Sequence, residues 1–478
     1  MSQSQSVERG PGTGPGTFVY GTVVKTLVDK LWDAHRIAEL GDGVDLLHID
    51  RTFLHERTGS VALDGLRQAG RRPARPESVF CTFDHIVSTD PERGADDARS
   101  PGGEAFITDT RALAEAMGIR LFDVLDPDQG IVHVISPELG LALPGLSVVC
   151  PDSHTGTLGG LGALAWGIGS SDAEHAVATG CLRVRKPPQM RITVEGGLAP
   201  GVSAKDIALH VIGRIGASGA NRAYVEWAGS TIRGLTVEAR LTLCNLGVEM
   251  GAFSAIVAPD ATVFEYVRGR RQAPKGEAWA AALEHWQSLF TDDSAAFDAE
   301  HRFDAAAIRP TVTWGISPEH AVAVGEPIPD GPEDAFAYMG VEAGRAISDY
   351  PLDGAFIGSC TNARLSDLRA AAEVLKGRRV ADGLRAIVVP GSMSVRRAAE
   401  AEGLDAVFRA AGFDWQASGC AFCFYAGGET WAPGSRVVSS TNRNFKGRQG
   451  PGVRTHLASP AVVAASAVMG RIAGPSDL

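Results

Sequence analysis

Ala355-Phe356-Ile357-Gly358-Ser359-Cys360-Thr361-Asn362 joins three apolar residues to a loop of small and polar ones. Such a switch marks the end of a buried strand in an α/β protein, where the strand needs apolar faces and the following loop needs residues that turn. The pattern recurs twice nearby. Residues 386–389 (AIVV) run into Pro390-Gly391-Ser392, and Val437-Val438 runs into Ser439-Ser440-Thr441-Asn442-Arg443. In open α/β sheets, ligands sit outside the carboxyl ends of strands, so the three loops are expected to converge on one pocket.

The same alternation runs back toward the N-terminus. Leu27, Val28, Leu31 and Trp32 fall at helical spacing within residues 22–39, and residues 45–50 read as a strand. Apolar runs at 121–124, 131–135 and 146–150 predict further strands, with His133 inside the second. Ser171 and Glu174 form a capping-box pattern opening a helix toward Cys181. From about residue 189 to 309 another α/β set contains a charged helical region at 279–290. Residues 326–334 (EPIPDGPED), with three prolines and four acidic residues, have linker composition. The expected organisation is a disordered leader at 1–16, α/β domains at 17–195, 196–309 and 335–478, and a linker at 310–334.

Length agrees, since 478 residues at roughly 150 per domain give about three domains. With 44% hydrophobic and 21% charged residues, the chain is neither disordered nor fibrous. Its 45 basic and 56 acidic residues leave a net charge of −11 without a long basic tract, which argues against nucleic-acid binding. The sequence carries no apolar signal-peptide core and no stretch of 18 apolar residues, so a cytoplasmic protein without membrane attachment is expected. Seven cysteines are too few, and odd in number, for a disulfide framework. Cys81, Cys181 and Cys244 are expected as small buried hydrophobes.

Gly419-Cys420-Ala421-Phe422-Cys423 is the strongest chemical signal, together with Cys360 in a different strand-end loop. Three thiolates can hold a 4Fe-4S cube by three corners and leave one iron open as a Lewis acid. By spacing alone, a structural zinc or three ordinary cysteines remain alternatives. Asp152 lies two residues before His154, and Asp84 directly precedes His85; His133 and Glu249 stand in neighbouring segments. Carboxylate beside imidazole fixes a ring for proton transfer. Arg443 and Arg448, five apart, suit bidentate capture of carboxylates. The glycine-rich stretch 159–169 is a poor dinucleotide fingerprint, starting too far from its strand and lacking the later acidic residue.

Taken in order, PDSHT (151–155), CNLGVEMGA (244–252), GSCTN (358–362), the CxxC, SSTNRNFKGRQG (439–450) and GVRTHLASPA (452–461) strongly resemble the aconitase superfamily. Their neighbours resemble its 3-isopropylmalate isomerase large-subunit branch, over about residues 20–472. The resemblance implies three α/β domains around a 4Fe-4S cluster held by Cys360, Cys420 and Cys423. It pairs Asp84 with His85, Asp152 with His133 and Glu249 with His154 as catalytic groups. Ser153, Asn245, Asn442, Arg443 and Arg448 match substrate and cluster-environment positions. The implied activity is isomerisation of a small dicarboxylate hydroxy acid by dehydration and rehydration. The fourth, swivelling domain of single-chain relatives, with its catalytic base, is expected on a separate small subunit.

Some positions depart from the family pattern. After His55-Glu56-Arg57-Thr58, the chain reads Gly59-Ser60-Val61 where relatives have Ser-Pro-Gln, so Val61 is expected to replace a glutamine in the pocket. Leu158 stands at a histidine position, and Phe424-Tyr425-Ala426-Gly427 replaces the usual Leu-x-Met-Asn stretch. These changes fit either a more apolar pocket, as for another 2-alkyl or 2-arylalkyl malate, or ordinary drift in an enzyme that isomerises 3-isopropylmalate in leucine biosynthesis. An RNA-binding regulatory relative is the alternative from another class, and the acidic charge opposes it.

Overall fold

The protein is described by a computed structural model covering residues 24–478; the expected leader at 1–16 lies outside the described residues. Three parallel sheets organise it. The first has the strand order Arg120–Phe122, Val79–Thr82, Arg51–His55, Ser147–Cys150, Leu164–Gly167. The third repeats that order with Phe413–Trp415, Arg385–Val388, Gly354–Ile357, Arg436–Ser439 and Arg454–Leu457. The middle sheet follows it one strand short, with Ser254–Val257, Tyr224–Ala228, Gln189–Glu195 and Ala299–Asp304. In each, the chain starts at an inner strand, winds outward, then returns to the other side. The crevice between the first and fourth strands is where such sheets bind ligands.

Composition explains the strands. Ser147–Cys150 (SVVC), Gly354–Ile357 (GAFI) and Arg436–Ser439 (RVVS) are buried at every position, as strands covered on both faces must be. The Pro460–Met469 helix is apolar nearly all round and is buried against the Leu365–Leu375 helix. The first and third sheets are joined by backbone bonds from Ile131 N–H to Gly391 O (2.8 Å) and from Met393 N–H to Gln129 O (2.8 Å). Gly130 permits this approach, since a Cβ there would lie 2.6 Å from Ser392 Cα. The glycines of 159–169 act likewise in packing. A Cβ on Gly159 would stand 1.9 Å from Ala255 O, so this stretch is seated directly on the middle sheet.

Several local expectations are corrected. Residues 131–135 are not a strand: His133 lies on the Val132–Glu138 helix, a short apolar run whose periodicity alone does not separate strand from helix. Helical spacing at 22–39 ends earlier than read, because Leu27–His35 is the helix and Arg36–Glu39 pairs with Val44–His48. Ser171 does not cap its helix; the Ser170–Thr179 helix starts after Gly169, with no side-chain cap. The stretch 310–334 is more than a linker, since Thr311–Thr313 and Ala321–Ala323 form an antiparallel pair. Gln189–Glu195, before the expected boundary at 196, is an inner strand of the middle sheet. Cys81 and Cys244 are buried as expected, whereas Cys181 is only half buried. Among the described residues, no helix is long and apolar enough to cross a membrane.

His456, on the Arg454–Leu457 strand, makes stability depend on pH. Its Nδ1 donates to Thr313 O (2.7 Å) while Nε2 accepts from Arg436 Nη1 (3.0 Å), so the ring must be neutral. Burial and the nearby Arg436 lower its pKa from 6.5 to about 3. The unfolded chain therefore binds a proton that the folded chain refuses, and stability falls as pH drops from about 6.5 toward 3, by up to about 1.4 kcal/mol per unit. His456→Gln keeps a donor and an acceptor without titrating. Chemical unfolding at several pH values should show a slope between pH 6 and 4 shallower by close to one proton; an unchanged slope rules His456 out as the source.

Candidate active site at facing strand ends

The first and third sheets present their crevices to one cavity of about 270 Å³. Its walls come from the loop after each inner strand. His55 ends the Arg51–His55 strand and Arg57 and Thr58 open the helix after it, His85 follows Val79–Thr82, and Asp152, Ser153 and His154 follow Ser147–Cys150. Cys360 follows Gly354–Ile357 and Arg443 follows Arg436–Ser439, while Cys420, Cys423, Phe424 and Arg448 complete the opposite wall. His133 enters from its short helix. Asp84, Glu249, Asn245 and Asn442 do not line the cavity; they are buried behind it and hold the groups that do.

The carboxylate–imidazole pairs have hydrogen-bond geometry. Asp84 Oδ1 lies 2.5 Å from His85 Nδ1, Asp152 Oδ1 lies 3.1 Å from His133 Nε2, and Glu249 Oε1 lies 2.8 Å from His154 Nε2. Asp152 does more than its expected pairing. Its Oδ2 also meets His85 Nε2 at 3.1 Å, and its Oδ1 accepts the His154 backbone N–H at 2.7 Å. Burial by itself would lower the His85 pKa, but Asp84 and Asp152, one on each ring nitrogen, hold it well above the imidazole range and favour the protonated ring. Asp152, against the pull of burial, is kept well below the usual carboxylate range by His133 and His85. His154 goes the other way: burial and Arg443 outweigh Glu249 and lower its pKa, favouring a neutral ring.

The three cysteines share one wall. Asn245 Nδ2 donates to Cys360 Sγ at 3.2 Å and Asn442 Nδ2 does so at 3.5 Å; Arg448 Nη2 lies 3.5 Å from Cys423 Sγ. Cys420 Sγ stands 4.0 Å from His85 Nδ1. Burial pushes the Cys360 thiol up to about 12 and the Cys420 thiol well above its ordinary value. Metal coordination deprotonates such thiols outright. Their spacing bears on the choice of metal. A zinc ion with Zn–S near 2.3 Å would draw all three sulfurs within about 4 Å of one another. These three do not form a ligand set within 4.8 Å, whereas a cube, with a separate iron at each corner, accepts wider spacing. Ser359 (φ 79°) and Ala421 (φ 46°) adopt left-handed backbone beside the thiols, a cost tolerated where a site fixes the loop.

The family-pattern departures sort by position. Val61 does not line the cavity; it is 58% exposed, beside Ser60, Asp64 and Asp109 on another face of its helix, so the expected loss of a pocket amide has no structural basis. Leu158 is fully buried in the apolar core rather than at the cavity. Phe424 does line it, with the Arg57 and Arg448 guanidinium carbons 4.9 and 5.6 Å from its ring centre.

Sequence reasoning missed His55, Arg57 and Thr58 as wall residues, although they follow an inner strand just as Asp84-His85 does. His55 stacks on His85 with ring centres 3.9 Å apart. Lys205 was missed too. Wholly buried, it donates from Nζ to the carbonyls of Ser440 and Thr441 and secures the loop carrying Asn442 and Arg443; burial lowers its pKa to about 7. A lysine on an otherwise apolar helical face, as in residues 204–212, is the sequence signal for it.

Two inner crevices of parallel sheets, three convergent cysteines and paired acid–imidazole groups define the class. The chain belongs to the aconitase family, whose model, described as aconitate hydratase, matches residues 29–470. More particularly, it is 51% identical over 470 residues to the 3-isopropylmalate dehydratase large subunit 1 of Bradyrhizobium diazoefficiens, a match covering 96% of this chain and 98% of that one. It is also similar to the solved holo-form of Thermococcus kodakaraensis aconitase X, at TM-score 0.45 and 14% identity over 84% of each chain.

Proposed function

We propose that this chain is the large subunit of an iron-sulfur hydro-lyase that isomerises 3-isopropylmalate, or a closely related 2-substituted malate, as in leucine biosynthesis. The observation that carries the reading is the meeting of three thiols, three carboxylate-held imidazoles and three arginines at one cavity. Cys360, Cys420 and Cys423 would hold a 4Fe-4S cluster, which when bound supplies Lewis acidity toward a substrate oxygen. His85, kept cationic between Asp84 and Asp152, gives its proton to the departing hydroxyl, which leaves as water. Arg443 and Arg448 receive a substrate carboxylate, and Ser153 lines the same cavity from the first-sheet wall. A base must take the proton from the adjacent carbon. That base is assigned to a small-subunit partner, and readdition of water in the opposite sense gives the isomer. Phe424 at the wall favours a second reading, in which the substrate carries a larger alkyl or arylalkyl group.

The test is anaerobic loading of the chain with iron and sulfide, followed by assay with and without its small subunit on a panel of 2-substituted malates. Turnover is expected only with both chains, because removing a general base typically costs about 10²–10⁴-fold. Full turnover by the single chain overturns the two-chain reading, and inactivity on every malate overturns the substrate class. A preference for aryl-bearing over isopropyl substrates selects the second reading.

A further inference from the structure

Glu56 has no role in the chemistry above, yet its surroundings are unusual for a carboxylate. It is completely buried, and among the described residues it has no ion-pair partner. Instead, it receives four consecutive backbone N–H groups. Oε2 accepts from Asp84 (3.1 Å), while Oε1 accepts from His85 (2.8 Å), Ile86 and Val87 (3.3 Å). Successive N–H groups turned toward one point form an anion-binding concavity. Here the chain fills that concavity with its own side chain, at the start of the Glu56–Gln68 helix.

The clasped segment carries the Asp84–His85 pair, and its effect reaches further. Asp84 O accepts the Cys420 N–H at 2.7 Å, so the position of the 84–87 loop is passed to the loop bearing Cys420 and Cys423. On the other side, His55, adjacent to Glu56, stacks on the His85 ring. One strand end thus controls His85 through both its backbone and its ring face.

We infer that Glu56 is a positioning residue, whose carboxylate clasps the 84–87 backbone and thereby aims His85 into the cavity and seats the CxxC loop. The inference rests on the proposed function for its kinetic consequence, but not for its structural one. Four N–H donors demand an acceptor on each carboxylate oxygen, and this is what Glu56→Gln breaks. Its amide oxygen can keep three of the bonds, while its NH₂ must face the Asp84 N–H, donor against donor.

The experiment uses Glu56→Gln, with Glu56→Asp as a second variant that keeps both acceptors on a shorter stem. Hydrogen exchange by mass spectrometry on the full chain before cluster loading should show faster exchange of peptides covering 84–87 and 420–423 in the Gln variant, with distant peptides unchanged. In the loaded two-chain enzyme, kcat should fall about 10²-fold, the penalty for misplacing a catalytic group by about 1 Å, with KM within threefold and iron content retained. The Asp variant should recover part of kcat. Unchanged exchange at 84–87, or a uniform rise across the chain in both variants, overturns the clasp. If the two-chain enzyme turns over no malate at all, the functional reading fails while the exchange measurement still decides this one.

Discussion

Replacing Cys360 by Ser is expected to abolish the broad visible absorbance and the roughly four irons per chain that anaerobic loading should give. The reason is geometric. Cys360 comes from the Gly354–Ile357 strand end, whereas Cys420 and Cys423 share one loop, so its loss leaves two neighbouring corners and nothing opposite them. Serine is a harder ligand than thiolate, and a buried hydroxyl is far less able to ionise. Cys420→Ser and Cys423→Ser should behave alike, and activity should vanish with the colour in all three. Cys181→Ser is the control, since its half-buried thiol contacts Thr179, away from the cavity. Iron analysis with visible spectra decides the matter, and retention of a full cluster in the Cys360 variant would refute the ligand assignment. An open fourth corner further implies that brief air exposure removes activity and that ferrous iron with thiol restores it.

Truncating Arg448 to Ala should cost about 2–5 kcal/mol of transition-state binding, a fall of about 30- to 4,000-fold in kcat/KM. Of the two arginines on the third-sheet side of the cavity, Arg443 is committed through Nε to Glu249 at 2.8 Å. Arg448 is the freer fork. Its Nε is buried without a hydrogen-bond partner, and its guanidinium sits between the rings of Phe424 and Phe445, 5.6 and 5.5 Å from their centres. A donor buried and unmet is costly unless an anion completes it, and a carboxylate matches the guanidinium fork. Arg448→Lys should rescue little, because an ammonium is a point charge without that planar pair of donors. Steady-state kinetics on the loaded two-chain enzyme checks this, with the visible spectrum unchanged. A kcat/KM within threefold of the parent would remove Arg448 from substrate binding.

The strand-end loops were legible because their chemistry is local. GSC at 358–360 and SST at 439–441 announce where buried strands stop, and the structure places those strands side by side. The 131–135 run is ambiguous because four apolar residues around His133 fit a buried strand or a buried helix equally; the backbone bonds from Ile135 N–H to Ile131 O and from Leu139 N–H to Ile135 O make it a helix. Val61 failed for a related reason. Its neighbours in sequence, His55, Arg57 and Thr58, do face the cavity, but a helix turns about 100° per residue and carries Val61 to another side.

Which residues are chemically able to act is readable from the chain alone: the three cysteines, the acids beside histidines, the arginines and the apolar runs that must become strands. Side-chain identity and strand patterning are written residue by residue. Who meets whom is set by the packing of the sheets. It placed Asp152 between His133 and His85, left Arg448 Nε without a hydrogen-bond partner while Arg443 was taken by Glu249, and buried Glu56 beneath the 84–87 backbone. Those choices follow from two parallel sheets facing each other across their inner crevices, where groups tens to hundreds of residues apart come within hydrogen-bond reach and burial makes each pairing, or its absence, count.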